Sequence, residues 1–317
     1  MSEYNLRKGL IFGIVGIFLI GLQPVIANIR PLTIDPIIFA AFSGLIEAIL
    51  FCPIYFLERK KLKRESNLDD AKSYKNGILL NGWKQKRNIL VFILIGITFS
   101  VVPVMLFIGY QLTGAINSSL ALKSEIVVAL FFGFILLKEK ISILQVIFCG
   151  LLFFGLFLAI TEGFRYVVKF DMGVLILISS VVLFTLVHTI TKAGFDRSEI
   201  FPTQVVFIRT LLSSFILIIF YAIFFPIDNF LIIIKDYNLY FFLIMGIDYG
   251  LSLYVWYKTL TYIEIGKAAI VISFTPIISA FFSFILLGET FTIFHLIGTV
   301  IVIFSILMIV RKKKDIH

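Results

Sequence analysis

Ten apolar stretches alternate with short polar segments along the 317 residues of this chain. They cover 9–29, 36–57, 89–111, 115–137 and 142–161, then 172–191, 203–225, 239–259, 266–287 and 292–310. About 20 residues of helix cross a hydrocarbon core about 30 Å thick. No water reaches a backbone N–H or C=O there, so each stretch is predicted to form an α-helix, whose hydrogen bonds are internal. The first stretch follows Arg7 and Lys8, as a secretory signal would. It is longer than the roughly 7–15 apolar residues of a signal, and more stretches follow, so it reads as a retained helix.

The polar positions add a topology. With the N-terminus inside, the segments on the inner face hold 22 Lys and Arg and those on the outer face hold 4 (Arg30, Arg165, Lys169 and Lys235). By the positive-inside rule both termini are expected in the cytoplasm, in a multi-pass protein of the cell membrane. Composition agrees: residues are 60% hydrophobic and 15% charged, against about 45–50% and 25% in soluble domains. The net charge of +9 comes largely from segments between stretches and at the ends, so it speaks for membrane sidedness and not for nucleic acid. Segment 58–88, with ten basic and four acidic residues, is expected to be a cytoplasmic loop that orients the protein, with contact to anionic headgroups as a secondary role. Cys52 and Cys149 lie in apolar stretches and read as small hydrophobes.

Phe134-Ile135-Leu136-Leu137-Lys138-Glu139 and Phe284-Ile285-Leu286-Leu287-Gly288-Glu289 repeat one pattern 150 residues apart. The same offset pairs Gly96 with Gly246 and Ile97 with Ile247, and sets Thr98 opposite Asp248. Earlier in each half the offset is larger, 166 for Pro36 and Pro202, because 58–88 is longer than its counterpart 226–238. Two five-helix halves are therefore expected, 1–162 and 171–311. A copy that follows an odd number of crossings must run the opposite way through the membrane. The predicted fold is thus an all-α integral membrane protein of ten transmembrane helices in two inverted repeats, an arrangement that places a binding site near the midplane.

These features resemble an EamA-type member of the drug/metabolite transporter superfamily. The resemblance rests on the two five-helix halves, each closing with an L-L-x-E turn before a Gly-containing last helix. It rests also on the stretch from Ile116 to Glu125 and on Phe274-Thr275-Pro276, which look like the family's fourth- and ninth-helix signatures. Ile126 stands where the family tends to have proline after the fourth-helix Glu, so the fourth helix is expected to be less kinked than the ninth. The resemblance implies a transporter.

Ionisable residues within apolar stretches are costly and usually functional. Glu47, Lys123, Glu125, Arg209 and Asp248 are the candidates for substrate or ion coupling, joined by Tyr249 beside Asp248 and by Asn117 in the fourth-helix signature. The repeat alignment sets Arg209 opposite Ser43, one turn before Glu47, so an ion pair between Glu47 and Arg209 is expected. Lys123 and Glu125, about 200° apart on a regular helix, are not expected to face each other. Two cations against three acids leave one negative charge over, so Asp248 or Glu125 is expected to hold a proton in at least one state, as proton coupling requires. The alternative is that these charges only hold the bundle together. His188 reads as an interfacial polar residue, Lys258 and Lys267 as snorkelling cations, and Glu139 and Glu289 as markers of helix ends. Gly9-x-x-x-Gly13 and Ser279-x-x-x-Ser283 fit close helix packing.

No nucleotide-binding, hydrolase or metal-ligand spacing occurs in the chain. The expected function is secondary transport of a small metabolite or drug-like compound, amino-acid-like if the mixed charges bind it, coupled to protons or to exchange. A passive channel is the alternative, with a scramblase or membrane-embedded enzyme behind it. No enzyme activity, cofactor, metal or nucleic-acid partner is expected. The expected partners are membrane lipids, the substrate and protons, with homodimerisation left open.

Overall fold

A computed structural model describes residues 3–68, 70–137, 141–165, 172–235, 237–262 and 271–310. Every regular element among them is helical. The first half holds α1 (Glu3–Ile29), α2 (Pro36–Leu68), α3 (Asp70–Asn81), α4 (Lys86–Thr113), α5 (Ala115–Ala121), α6 (Glu125–Leu137) and α7 (Ile143–Ile160). The second holds α8 (Met172–Asp196), α9 (Pro202–Phe224), α10 (Asn238–Tyr262), α11 (Thr275–Leu287) and α12 (Ile293–Val310). Short 3-10 segments lie at Gly82–Lys84, Leu122–Ser124 and Ile227–Ile233.

Among the described residues, eight segments are long and apolar enough to cross a membrane, at the places of the first eight apolar stretches. Shorter apolar helices, Thr275–Leu287 and Ile293–Ile309, stand at the ninth and tenth. Residues 263–270, which include Lys267 and the start of the ninth stretch, lie outside the described residues. Phe18, Leu90, Ile223 and Phe284 are among many large apolar side chains that remain exposed, as faces solvated by lipid must be. The duplication is visible in the helix bounds. Leu137 and Leu287 end α6 and α11, and Ile143 and Ile293 begin α7 and α12, each pair 150 residues apart. Pro36 and Pro202, the first residues of α2 and α9, occupy the first turn, where an absent N–H costs no hydrogen bond.

One expectation changes here. Segment 58–88 is largely helical among its described residues. α2 runs on past its apolar part to Leu68, and α3 folds back on it, with Asn76 Nδ2 donating to the Leu62 carbonyl at 3.3 Å. Charged side chains on an exposed helix are no obstacle to helix formation, and Lys, Arg and Glu are good helix formers. The fourth helix passes through a 3-10 turn at Leu122–Ser124, between α5 and α6, and the ninth stretch is interrupted by a turn at Ser273 and Phe274, just before Pro276.

The chain divides into two compact units, and each draws segments from both halves. One comprises 1–29, 108–182 and 258–317; the other comprises 30–107 and 183–257. In the first unit α7 packs along α12 and α1 along α11. Leu152, Leu156, Ala159, Val302, Ile306 and Ile309 form its core with Ile116, Leu120 and Ala280. Gly155 and Gly298 permit the α7–α12 approach, since a Cβ on Gly298 would lie 2.5 Å from the Gly155 carbonyl oxygen. Ser142 and Gln145 form a capping box at the start of α7, and the Gln145 amide also donates to the Ile309 carbonyl at 3.1 Å. Of the two small-residue patterns singled out above, Gly13 lies against Val271 and Ser279 Oγ donates to the Gly21 carbonyl at 2.6 Å.

In the second unit α2 packs along α9. Tyr55 stacks on Phe201 and Phe207 near the ends of these helices. Glu199, in the turn before α9, accepts hydrogen bonds from Arg87, Asn88 and Arg197. Burial alone would raise this carboxyl, but those bonds and the Arg197 charge hold it below its ordinary value.

Candidate functional site

In the second unit four helices enclose one ion pair. α2 brings Glu47 and α9 brings Arg209, whose Nη2 donates to Glu47 Oε1 at 3.2 Å. Their side chains are 1% and 2% exposed, so neither charge is solvated by bulk water. The guanidinium carbon lies 4.2 Å from the ring centre of Phe99 on α4 and 5.5 Å from that of Tyr249 on α10. Both rings present a negative face to the cation at a site closed to bulk water. Tyr257 also interacts with Arg209.

Backbone proximity makes this possible. A Cβ on Gly246 would lie 2.7 Å from the Ser43 carbonyl oxygen, and one on Gly250 2.8 Å from Glu47 Cγ. Gly246-x-x-x-Gly250 therefore seats α10 against α2 and leaves room for the Glu47 side chain, as small-x-x-x-small patterns do in membranes. Its two glycines frame Asp248 and Tyr249, and the pattern was available in the sequence.

Ser43, Gly44, Glu47, Phe99, Arg209 and Tyr249 line a cavity of about 20 Å³ together with neighbouring residues of the same helices. That is room for about one water molecule. Around it the polar groups are unevenly satisfied. Ser43 Oγ and Arg209 Nε on its wall are enclosed without a hydrogen-bond partner among the described residues, as are Ser214 Oγ, Gln204 Oε1 and Asp248 Oδ2 elsewhere in the same unit. Asp248 belongs to the same unit but does not line the cavity, whereas its neighbour Tyr249 does. His188 is not the interfacial residue expected. Its two ring nitrogens are enclosed without partners, and its ring lies 5.8 Å from both Phe99 and Tyr257. The run of hydrophobic residues around it gave no sign that aromatic rings from two other helices would meet it.

Lys123, Glu125 and Asn117 lie in the first unit. Lys123 Nζ donates to the Ile272 carbonyl at 3.1 Å. The reason is local to Ile272: the residue four positions on is Pro276, which has no N–H to return. Lys123 supplies the missing donor. Lys123 and Glu125 feel each other's charge, but no ion pair among the described residues joins them, and the 3-10 turn between α5 and α6 still sets two positions about 240° apart. Asn117 Oδ1 accepts from His295 Nε2 at 3.1 Å. The tautomer follows from the other nitrogen, since Nδ1 accepts the Thr292 N–H at 3.0 Å.

A model of the EamA-like transporter family matches the chain twice, over residues 7–161 and 171–311. The chain belongs to the EamA-like transporter family. A protein crystal structure with 12% identity covers 95% of this chain and 96% of its own, at a TM-score of 0.67. At that identity the likeness concerns the fold. No curated protein matches the chain by sequence.

For this EamA-like chain the repeated L-L-x-E turn has a structural meaning beyond a helix end. Glu289 Oε1 accepts the Ala115 N–H at 2.7 Å, and Oε2 accepts the Ile116 N–H at 3.0 Å. The residue at the cap of α5 is Gly114, with φ +78° and no side chain to cap with. Gly114 thus takes the backbone conformation that glycine favours, and Glu289 supplies the cap from the turn before α12. Its counterpart Glu139 lies outside the described residues. Glu289→Ala is expected to lower stability by about 0.5–2 kcal/mol, with Glu289→Gln closer to the parent because an acceptor remains. Thermal unfolding in detergent measures both. Equal stability of Glu289→Ala and the parent would show that the cap contributes nothing.

Proposed function

We propose that this EamA-like chain is a secondary active transporter of a small metabolite or drug-like compound. It works by alternating access between two inverted five-helix repeats, with proton coupling or exchange and with both termini in the cytoplasm. The observation that carries this reading is the enclosed Glu47–Arg209 pair with unsatisfied polar atoms around it. A packing role alone would favour full satisfaction, because a partly satisfied buried network costs more than an apolar core. A substrate that enters as the repeats rearrange can take those donors and acceptors. Arg209 would receive its anionic group, Tyr249 and Phe99 would border its body, and Glu47 would be released. A compound with both charges, such as an amino acid, uses Arg209 and an acid of the same unit together, and Asp248 is the acid best placed to carry a coupling proton.

Uptake into proteoliposomes from a panel of metabolites, with and without an imposed pH gradient, tests the reading. Saturable uptake that the gradient stimulates is expected, and Glu47→Gln or Arg209→Gln should abolish it. Non-saturating flux with conductance would establish the channel instead. If Asp248→Asn and Glu125→Gln both retain full gradient-driven uptake, neither acid couples protons.

A further inference from the structure

We infer that the hairpin formed by the end of α2 and by α3 binds the phosphate headgroups of anionic lipids in the surrounding bilayer. This does not depend on the transport reading, only on the bilayer. α2 is 33 residues long, about 50 Å of helix, well beyond a hydrocarbon core of about 30 Å. Exposed apolar side chains on α2 end with Phe56 and Leu57, and exposed cations begin at Lys60. α4 shows the same boundary from the other direction: Lys84 and Lys86 are exposed, and Ile89 and Leu90 begin the apolar face. The two helices are antiparallel neighbours at their far ends, where Phe39 meets Phe107 at 4.8 Å between ring centres. Two helices of one unit therefore change from hydrocarbon-facing to cationic at the edge of their apolar faces. That edge is the headgroup layer.

The cations are arranged for binding. Lys60, Lys63 and Arg64 are exposed and share one helix face by their three- and four-residue spacing. None of them has an ion-pair partner among the described residues, whereas Lys61 reaches Glu65 at 3.9 Å. Lys84 lies 5.9 Å from the ring centre of Trp83, a residue type that favours the membrane interface. The Asn76–Leu62 hydrogen bond holds α3 on α2, so the charges sit on an ordered scaffold and less ordering entropy opposes binding. Segment 58–88 carries a net +6, and each cation near an anionic surface strengthens attachment. A soluble polyanion could also meet this charge, but it would have to lie against exposed Leu57 and Leu90, which suit acyl chains.

Trp83 makes the site observable. The full-length protein is reconstituted in vesicles containing phosphatidylglycerol or phosphatidylcholine with brominated acyl chains, with Trp83→Phe as the blank. Trp83 should be quenched preferentially by the brominated anionic lipid. The preference should fall by about tenfold or more in the K60Q/K63Q/R64Q/K84Q variant, since each cation is worth about fivefold. It should also vanish in salt of about 1 M, where screening acts within about 3 Å. Equal quenching by the two lipids, or an unchanged preference in the folded variant, would overturn the inference. If that variant does not fold, the salt titration of the parent decides, and a salt-independent preference overturns it. Displacement of the lipid by inorganic phosphate would assign the site to a soluble anion instead.

Discussion

Arg209→Met is expected to destabilise the protein by about 3–5 kcal/mol, the usual consequence of leaving one member of a buried ion pair behind. The Glu47 carboxylate would then stand 1% exposed with Phe99, Tyr249 and the α10 backbone around it and no cation to offset its desolvation. Glu47→Met in the same background should recover most of that loss, because an apolar pair of similar volume removes both desolvation costs together. The two single variants and the double variant form a cycle, read by unfolding in mixed micelles, and a coupling energy near zero would show that the 3.2 Å contact is incidental. The double variant also separates stability from function. It should fold and still fail to transport, since the donors that would hold a substrate have gone.

Lys123→Met should cost about 1–3 kcal/mol, the penalty for a buried polar group left without its partner. Two losses combine. The Ile272 carbonyl, without an N–H at Pro276, becomes an orphan, and Glu125 loses the positive charge with which it interacts. Adding Glu125→Gln to Lys123→Met should relieve the second loss and leave the first. If Lys123→Met unfolds at the same denaturant concentration as the parent, the hydrogen bond to Ile272 has no energetic role. The same hydrogen bond favours a structural role for Lys123, while the uneven satisfaction around Arg209 favours a functional one. The partners that the structure gives the two cations distinguish their roles.

The expected Glu47–Arg209 pair was legible because the repeat alignment converts a separation of 162 positions into neighbouring levels on related helices. The 3-10 turn in the fourth helix was not. Proline is the visible cause of a kink, and Ile126 offered none, yet a 3-10 turn forms beside Lys123. The helical character of 58–88 was likewise hidden, since charge density marks membrane sidedness and carries little information about backbone conformation. His188 and Glu289 were read by position along one helix, whereas their surroundings come from segments elsewhere in the chain. Gly246-x-x-x-Gly250 was a signal present and unused.

The sequence alone determined the solvent, the element type, the duplication and the expected sidedness. Hydrocarbon forces each apolar stretch to satisfy its backbone locally, four residues at a time, and flanking charge records which side it faces. Tertiary structure decided which side chains meet. Glu289 caps α5 across 174 residues and Lys123 reaches Ile272 across 149, distances over which no local rule of propensity or periodicity operates. Helices in lipid are specified by short-range hydrogen bonding, whereas a buried charge is specified by its partner, and the partner is set by packing.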